Sequence, residues 1–582
     1  MQKKYSKWCV GQATAGCLVP VQSTLHNLRR VALGVASGSA VCLMGPVGSG
    51  KTVLVDHLAH LTGRRDMPHL LKVQLGDETD AKMLLGAYCC TDIPGEFVWR
   101  PGVLTQAVSA GHWLLMEDID SASSDVIAVL ASLLETGAIT VPGYRDHLKA
   151  APGFQLFLTY RLMSSASGLY KQRSNACELL EKHWLLVNME HLTSEELIHI
   201  ITVKFPVLKT VASRMVALYL TFSAGDHDGT VAHSAMGRLT STRDLMKWCT
   251  RAVMGFDVSS PDSALKVLQD AIDIFCCNIN NPESRVTLAK SVSSNLGIVQ
   301  TKAEYLLSSY KPQPIKLINE SCIVGRISIP IKHEDCLPKE NVMRFAQTRP
   351  AACLLERVAA CLSLREPVLL VGETGTGKTS TLQLLARHTH HTLVVVNMNQ
   401  QSDSADLLGG FKPVDVKFII APIRNEFERL FRSFFKVEQN LKFLEHISNC
   451  FTGKRWTQLL QLMKHSQTAA VKRLLGEQEQ NKSKLAEWRA VGEKIHRLET
   501  QLKQNQAALA FTFVEGTLVR ALREGWWVLL DEINLASAET LQCLSGLLEG
   551  GEGEGILTLE KGDIETVPRH PDFRLLAAMN PA

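Results

Sequence analysis

The chain has 582 residues, of which 46% are hydrophobic and 21% charged, and its formal net charge is only +4. This length exceeds what one hydrophobic core supports, so we expect two to four domains, and the small net charge gives no indication of binding to nucleic acid or to an anionic membrane. The fifteen cysteines form no CxxC pair, which favours a reducing compartment. The sequence predicts neither a secretory leader nor a transmembrane segment, so we expect a protein of the cytosol or nucleus.

The first chemical motif in chain order is GPVGSGKT, at residues 45–52. It follows an apolar strand predicted at 40–45 and precedes a predicted helix, which is the context of a phosphate-binding loop. The glycines of this pattern let backbone N–H groups surround the phosphates, the lysine reaches the β and γ oxygens, and the threonine hydroxyl binds Mg²⁺. We therefore predict a first site for ATP and Mg²⁺ at Gly45, Gly48, Gly50, Lys51 and Thr52.

The next motif is GHWLLMEDID, at residues 111–120, an apolar strand that ends in two acids. In sites of this kind the first acid holds the Mg²⁺ shell, and the second orients and deprotonates the attacking water. Glu117 is therefore predicted to be a metal-site residue and Asp118 a catalytic residue. A further predicted strand, at 154–161, ends in Arg161.

A helix-rich segment at 190–310 follows and is predicted to form an all-α lid. Within it, STRDLMKWCTR places Arg243 near the start of a helix, where the side chain can reach back to the nucleotide. The alternative is an ion pair with neighbouring residues at the helix start. A proline-punctuated linker is predicted at 311–345.

The same landmarks recur in the second half of the chain. Residues 367–379 (PVLLVGETGTGKT) match 40–52 (AVCLMGPVGSGKT), and residues 515–534 match 101–120 without a gap. Strands that alternate with helices indicate parallel βαβ units, so we predict an α/β fold with two tandem P-loop NTPase modules of three layers each. The first core is placed at 1–189 and the second at 346–582.

The second copy contains two acids and an amide that fit the roles expected for hydrolysis. Asp531 is predicted to hold Mg²⁺ and contribute to catalysis, Glu532 to activate water, and Asn580 to position the water and the γ-phosphate. The predicted nucleotide-binding residues of this site are Gly372, Gly375, Gly377, Lys378, Thr379 and Ser380, with Thr379 also a Mg²⁺ ligand.

The two sites differ at the residues that act on water. The acids occur in reversed order, so Asp118 is shorter than Glu532 by one methylene, and a misplacement of about 1 Å can cost on the order of 10²-fold in rate. Arg161 occupies the position of Asn580, and a guanidinium cannot accept a hydrogen bond from water. We predict that the second site hydrolyses ATP and that the first mainly holds it. The alternative is that either acid order works after local adjustment.

The second core also contains an insert. Lys51 and Asp118 are 67 residues apart, whereas Lys378 and Glu532 are 154 apart, so the second copy has 87 additional residues. We place a helical insert at 414–510, because apolar residues recur there at helical spacing, including Leu441 and a seam through Trp488, Val491, Ile495, Leu498 and Leu502. This seam is predicted to be the inner face of a local bundle, and the alternative is a partner-binding zipper.

Tandem modules with these landmarks resemble AAA+ ATPases. The segments VNMNQQSDSADLLGGFKPVD (396–415), GWWVLLDEINLASAETLQCLSGLLEG (525–550) and STRDLMKWCTR (241–251) resemble the midasin family more specifically. The resemblance covers essentially the whole chain, as a first AAA+ module and most of a second. These motifs disfavour other members of the clade, such as a dynein-type motor or a MoxR-type chaperone.

The resemblance implies a polypeptide that folds six AAA+ modules into a ring and uses ATP, as a remodelling chaperone, to remove assembly factors from pre-60S ribosomal particles. The implied location is the nucleolus and nucleoplasm, and the implied partners are further AAA+ modules of the same polypeptide, the pre-60S particle and its factors. Neither a membrane nor a specific nucleic-acid sequence is an implied partner. The insert is expected near the central pore of the ring.

The chain stops two residues after Asn580, before the arginine finger and lid that a second AAA+ module carries. We interpret it as a fragment or truncated product that is weakly active or inactive alone. A different class of function is also open, namely a non-hydrolytic scaffold whose two sites bind nucleotide only to stabilise the ring.

Overall fold

A computed structural model describes most of the chain. The residues described are 18–64, 69–76, 79, 81–90, 97–141, 145–162, 182–223, 240–254, 256–257, 260–279, 281–318, 320–332, 345–435, 440–475, 482–504, 509–537, 540–541, 544–548, 556–557 and 566–581. Residues 1–17 of the predicted first core and residues 333–344 of the predicted linker therefore lie outside the described ranges. Within these ranges, no helix combines the length and apolar composition of a membrane span.

The first core is built on a five-stranded parallel sheet in the order β2-β5-β8-β1-β9. The strands of this sheet are β1 (Ala40–Gly45), β2 (Leu70–Gln74), β5 (Trp113–Glu117), β8 (Gln155–Arg161) and β9 (Trp184–Asn188). The helices are α1 (Gln22–Ala36), α2 (Lys51–Leu61), α3 (Ala81–Leu85), α4 (Val103–Ala110) and α5 (Ser124–Thr136). Two hairpins are formed by β3 (Gly86–Cys90) with β4 (Phe97–Pro101) and by β6 (Ala138–Val141) with β7 (Arg145–Lys149). Every residue of β1 and β5 is buried, as continuous apolar runs predict for central parallel strands.

Helices cover both faces of this sheet. Val41, Leu43 and Leu115 face α1 and α2, whereas Cys42 and Leu114 face α4 and α5. The parallel strands and the two helical layers confirm the predicted three-layer α/β class.

Six helices follow the first core in the described part of the chain. They are α6 (Ser194–Lys204), α7 (Ala212–Ser223), α8 (Thr242–Val253), α9 (Pro261–Ala271), α10 (Pro282–Asn295) and α11 (Gln300–Ser308). They share an apolar core in which Trp248 packs against Phe275, with ring centroids 5.6 Å apart. The lid is joined to the first core by Ser23, whose backbone N–H and hydroxyl both donate to the carboxylate of Glu196 at 2.8 Å.

The predicted linker contains structure that the sequence analysis missed. Strands β10 (Lys316–Ile318), β11 (Ser321–Val324) and β12 (Ile327–Pro330) form a small antiparallel sheet. Cys322, Val324 and Ile329 of this sheet are buried in the apolar core of the second module. This part of the linker is therefore packed onto the second core.

The second core repeats the first. Its elements are α12 (Arg349–Ser363), β13 (Val368–Val371), α13 (Lys378–His388), β14 (Leu393–Asn397), α14 (Ser404–Leu408), α19 (Thr517–Glu524), β17 (Trp527–Asp531), α20 (Ser545–Leu548), β18 (Ile556–Leu557), β19 (Thr566–Val567) and β20 (Arg574–Met579). The parallel sheet has the order β14-β17-β20-β13, which is the order of the matching strands β2-β5-β8-β1. The repeat seen in the sequence is thus a repeat of topology.

The insert projects from a two-stranded ribbon formed by β15 (Gly409–Asp415) and β16 (Leu509–Glu515). Its helices are α15 (Val416–Phe434), α16 (Leu441–Thr452), α17 (Trp456–Leu475) and α18 (Lys482–Gln504). The terminal residues of the predicted insert, 414–415 and 509–510, belong to the ribbon because they continue its strand pairing.

The insert has an apolar core of its own. Trp488, Val491 and Ile495 are buried against the other insert helices, as the local-bundle interpretation of the seam expects. Leu441 lies in a helix, as its spacing predicts, but its side chain is 54% exposed because the first turn of α16 lies at the surface. The side chain of Leu502 lies outside the described residues.

Candidate functional site

The first phosphate loop joins β1 to α2 and presents its lysine at the helix N-terminus. Gly50 has φ +85°, a left-handed conformation that a side chain disfavours, and α2 begins at the next residue, Lys51. Lys51 Nζ donates to the carbonyls of Gly45 and Pro46, each at 2.9 Å. Burial lowers the pKa of Lys51, and the negative charge of Asp118 opposes that shift.

The first phosphate loop has the features of an anion-binding site. Nothing lies within 4 Å of where a Cβ on Gly50 would stand, so its backbone is open to an approaching group. The hydroxyl of Ser49 is buried without a hydrogen-bond partner among the described residues. An open loop at a helix N-terminus, with a lysine and an unsatisfied hydroxyl, fits the phosphates of ATP.

The first acid of each pair contacts the threonine of its own phosphate loop. Thr52 Oγ1 donates to Glu117 Oε1, and Thr379 Oγ1 donates to Asp531 Oδ2 at 3.1 Å. A hydroxyl beside a carboxylate matches the protein ligands that hold Mg²⁺ on nucleotide phosphates. The two sites therefore place the same pair of groups together, although the first acid is one methylene longer in the first site.

The second acid of each pair has the same unusual backbone conformation. Asp118 has φ +61° and Glu532 has φ +56°, both in the left-handed region that non-glycine residues rarely adopt. This turn directs the backbone sharply after β5 and after β17. The gapless alignment of Asp118 with Glu532 is thus reproduced by the geometry.

The surroundings of these two acids differ. Arg161 forms a bidentate ion pair with Asp118: Nε donates to Oδ1 at 2.5 Å, and a terminal nitrogen donates to Oδ2. Gln74 Nε2 also donates to Asp118 Oδ2, at 3.2 Å. Asp118 is buried, whereas Glu532 is exposed and its side chain makes no hydrogen bond or ion pair to any other described residue.

At the second phosphate loop, Lys378 reaches the residue that replaces Arg161. Lys378 Nζ donates to Asn580 Oδ1 at 2.8 Å and to the carbonyl of Met579 at 3.1 Å. Gly375 and Gly377 have φ near +82°, and the space around both is open, as at Gly50. The structure thus brings together the residues predicted for this site, which are Gly372, Gly375, Gly377, Lys378, Thr379, Asp531, Glu532 and Asn580, with Ser380 one residue further along α13.

The lid touches the first phosphate loop through the start of α8. Thr242 Oγ1 donates to the carbonyl of Gly48, and a Cβ on Gly48 would lie 2.9 Å from the side chain of Ser241. Arg243 is the next residue of α8 and is exposed, without a hydrogen bond or ion pair to another described residue. Its place beside the loop fits a nucleotide contact, and the alternative ion pair at the helix start is not formed among the described residues.

Three residues of the first site escaped the sequence analysis. Asp120 accepts a hydrogen bond from the backbone N–H of Arg161 at 3.1 Å, Thr159 accepts one from the backbone N–H of Asp118 at 3.0 Å, and Gln74 donates to Asp118. The sequence did contain a signal for Asp120. The gapless alignment pairs it with Asn534, at the same site where Arg161 takes the position of an asparagine.

The chain was next compared with known proteins. The family model described as AAA domain (dynein-related subfamily) matches residues 40–182, 367–510 and 494–582. The chain belongs to the dynein-related AAA family. A second family model, the midasin AAA lid domain, matches residues 196–299.

Two midasins match almost the whole chain. Midasin of Dictyostelium discoideum is 31% identical over 97% of this chain and 11% of its own length, and midasin of Giardia intestinalis is 27% identical over 94% of this chain and 12% of its own length. Protein NorQ of Paracoccus denitrificans is 36% identical over 22% of this chain and 44% of its own length. The chain therefore spans about a tenth of the midasins it matches, and the resemblance to the midasin family is confirmed.

Family membership identifies the general chemistry. The chain belongs to the AAA+ ATPases, a class that binds nucleotide at its phosphate loops. Within the described residues, no group of three or more His, Cys, Asp or Glu side chains is placed to hold a metal ion. One threonine and one acid at each loop suit Mg²⁺ that arrives on the phosphates and keeps several waters.

Proposed function

We propose that the second site hydrolyses ATP and that the first site mainly holds it, within an ATP-driven remodelling enzyme of the midasin type. The observation that carries this proposal is the contrast between the two water-facing acids. Glu532 is exposed at the end of its strand, whereas Asp118 is paired with Arg161. A general base must hydrogen-bond to the proton that it removes, so only the free carboxylate is available to water.

At the second site each residue has a defined role. Lys378 and the loop N–H groups would bind the β- and γ-phosphates, and Thr379 with Asp531 would hold Mg²⁺, which supplies charge neutralisation on the phosphates. Glu532 would accept a proton from the attacking water. Asn580, already hydrogen-bonded to Lys378, would orient that water and the γ-phosphate.

At the first site the binding groups are retained. Lys51, Thr52 and Glu117 are arranged like their counterparts, so nucleotide and Mg²⁺ can bind there. Bound ATP would then act as a structural element between the first core and its lid, whose helix α8 contacts the loop at Gly48. Arg243, at the start of α8, is the lid residue that we propose contacts the nucleotide.

The resemblance to midasin supports the wider part of the proposal. We propose that further AAA+ modules of the same polypeptide close a ring with these two, and that the ring removes assembly factors from pre-60S particles in the nucleolus and nucleoplasm. Capture of the tagged full-length polypeptide should recover precursors of the large ribosomal subunit, and fluorescence microscopy should locate it in the nucleus. Recovery of mature cytoplasmic ribosomes alone would contradict this proposal.

The test of the hydrolytic assignment is Glu532→Gln in the full-length polypeptide, with steady-state ATP hydrolysis as the measurement. Loss of a general base costs on the order of 10²–10⁴-fold at the affected site, so we expect a large fall in rate. Asp118→Asn should lower the rate far less. Glu445 is an exposed acid in the insert, so Glu445→Gln is the matched control for the removal of one negative charge.

An unchanged rate in Glu532→Gln would refute the assignment and support the rival hypothesis of a non-hydrolytic scaffold. Equal falls in Glu532→Gln and Asp118→Asn would also refute it, because both sites would then be hydrolytic.

A further inference from the structure

Two differences separate the first site from the second, the order of the acids and the presence of Arg161. We propose that Arg161, and not the acid order, prevents the first site from hydrolysing ATP, by holding Asp118 in a bidentate pair. This inference rests on the proposed function, in which the first site binds ATP without turning it over. It names the residue that imposes this behaviour.

The fold tolerates the reversed order of the two acids in the first site. Glu117 reaches the hydroxyl of Thr52 just as Asp531 reaches that of Thr379, so the longer first acid still makes its contact. The backbones of Asp118 and Glu532 differ by only a few degrees in φ, at +61° and +56°. The reversed order therefore preserves the contact of the first acid with its threonine and the backbone turn at the second acid.

Arg161 changes what Asp118 can do. Both carboxylate oxygens of Asp118 accept from the guanidinium, and Gln74 donates to one of them. Bidentate arginine–carboxylate pairs are among the stronger and more directional hydrogen bonds in proteins. A water molecule would have to compete with these donors for the oxygen lone pairs, so Asp118 is withheld from the attacking water.

Arg161 is itself held in place. Its backbone N–H donates to Asp120 Oδ1 at 3.1 Å, and it ends strand β8 directly beside β1 and the phosphate loop. The second site has Asn580 and Asn534 at the matching positions, so a cation and an anion in the first site replace two neutral amides. The hydrogen bond to Asp120 fixes the backbone of Arg161 at the end of β8, from which its guanidinium reaches Asp118, and Arg161 is a positioning residue in this sense.

The test uses the full-length polypeptide with the second site disabled by Lys378→Ala, and the nucleotide retained when Lys51→Ala is added is subtracted as the contribution of the other sites. The protein is incubated with radiolabelled ATP and Mg²⁺ and washed, and the retained nucleotide is released by acid at intervals and separated into ATP and ADP. The compared variants are the parent, Arg161→Asn, Arg161→Gln, the acid exchange Glu117→Asp with Asp118→Glu, and Arg161→Asn with Asp118→Asn. Thermal melting with and without ATP verifies that each variant folds and binds.

We expect the parent and the acid exchange to retain ATP. Arg161→Asn should raise the rate of ADP formation at least about tenfold, because a freed general base contributes on the order of 10²–10⁴-fold, and the further change Asp118→Asn should abolish the gain. Arg161→Gln should behave like Arg161→Asn, since it also lacks the cation.

Retention of ATP by Arg161→Asn to the same extent as the parent would overturn the inference. So would ADP formation by the acid exchange while Arg161 is intact, because the acid order would then be the block. ADP formation by the parent itself, lost with Lys51→Ala, would instead refute the proposed function of the first site.

Discussion

Arg251 and Glu366 form a buried ion pair that fastens the lid of the first module to the second core. Arg251 lies near the end of α8, and Glu366 lies in the loop between α12 and β13. Arg251 Nε donates to Glu366 Oε1 at 3.0 Å, and a second nitrogen donates to Oε2. The two side chains are only 6% and 12% exposed. Burial alone would lower the pKa of Arg251, but Glu366 raises it overall, so the arginine is held charged.

We predict that Glu366→Gln destabilises the junction between the lid and the second core by about 3–5 kcal/mol, the cost of leaving one member of a buried ion pair without its partner. Lys247, whose Nζ lies 3.2 Å from Glu366, would lose its ion pair as well but can turn toward solvent because its side chain is 35% exposed. Replacing both members, as Arg251→Met with Glu366→Met, should recover part of the loss because no buried charge is then left unpaired.

The assay is urea unfolding combined with hydrogen exchange of the amides of α8 and α12. Glu366→Gln should accelerate exchange in both helices, since each relies on the junction. Glu304→Gln is the matched control: its ion pair with Lys290 lies within the lid and is exposed, so its loss should cost at most about 1 kcal/mol. Equal effects of the two variants, or faster exchange in α12 alone, would refute the reasoning.

Three further predictions concern other parts of the chain. Trp488→Ala should lower the free energy of unfolding of the insert by about 3–5 kcal/mol. The helical signal in circular dichroism should fall, and the affinity for ATP at the Lys51 site should not change. Gly516→Ala should lower the melting temperature, because its Cβ would lie 2.1 Å from the carbonyl oxygen of Leu407. Burial lowers the pKa of His391 below 6.5. This residue therefore contributes stability above pH 6.5 that is lost as the pH falls toward its folded-state pKa. The melting temperature should change less between pH 7.5 and pH 5.5 in His391→Gln than in the parent.

Much of the architecture was predictable because it depends on local patterns. The apolar run of β1, the glycines around Lys51 and the acids after β5 each occupy one short segment, and the repeat shows the same segments again at Lys378 and Glu532. Strand order follows from topology that two copies share. The match between β2-β5-β8-β1 and β14-β17-β20-β13 is therefore what two copies with the same order of segments imply.

Features that depend on distant contacts were not predictable in the same way. Arg161 and Asp118 are 43 residues apart in the chain, and the sequence identified both as departures without indicating that they pair. The small sheet at β10, β11 and β12 was missed because its strands are only three or four residues long and are stabilised by packing on α12. Leu441 fits a helical apolar pattern, yet its neighbours leave it exposed.

The two sites differ in the contacts of the second acid, while the backbone at that acid stays the same. The turn after the acidic strand keeps its left-handed residue in both copies, and the contact between the threonine and the first acid is also kept. Those features serve binding, which both sites need. The contacts of the second acid differ: Arg161, at the end of β8, is bound to Asp118, whereas the matching residue of the second site is Asn580. Holding ATP and hydrolysing it require the same phosphate loop, so under the proposed function a change in the partner of Asp118 would be sufficient to separate the two.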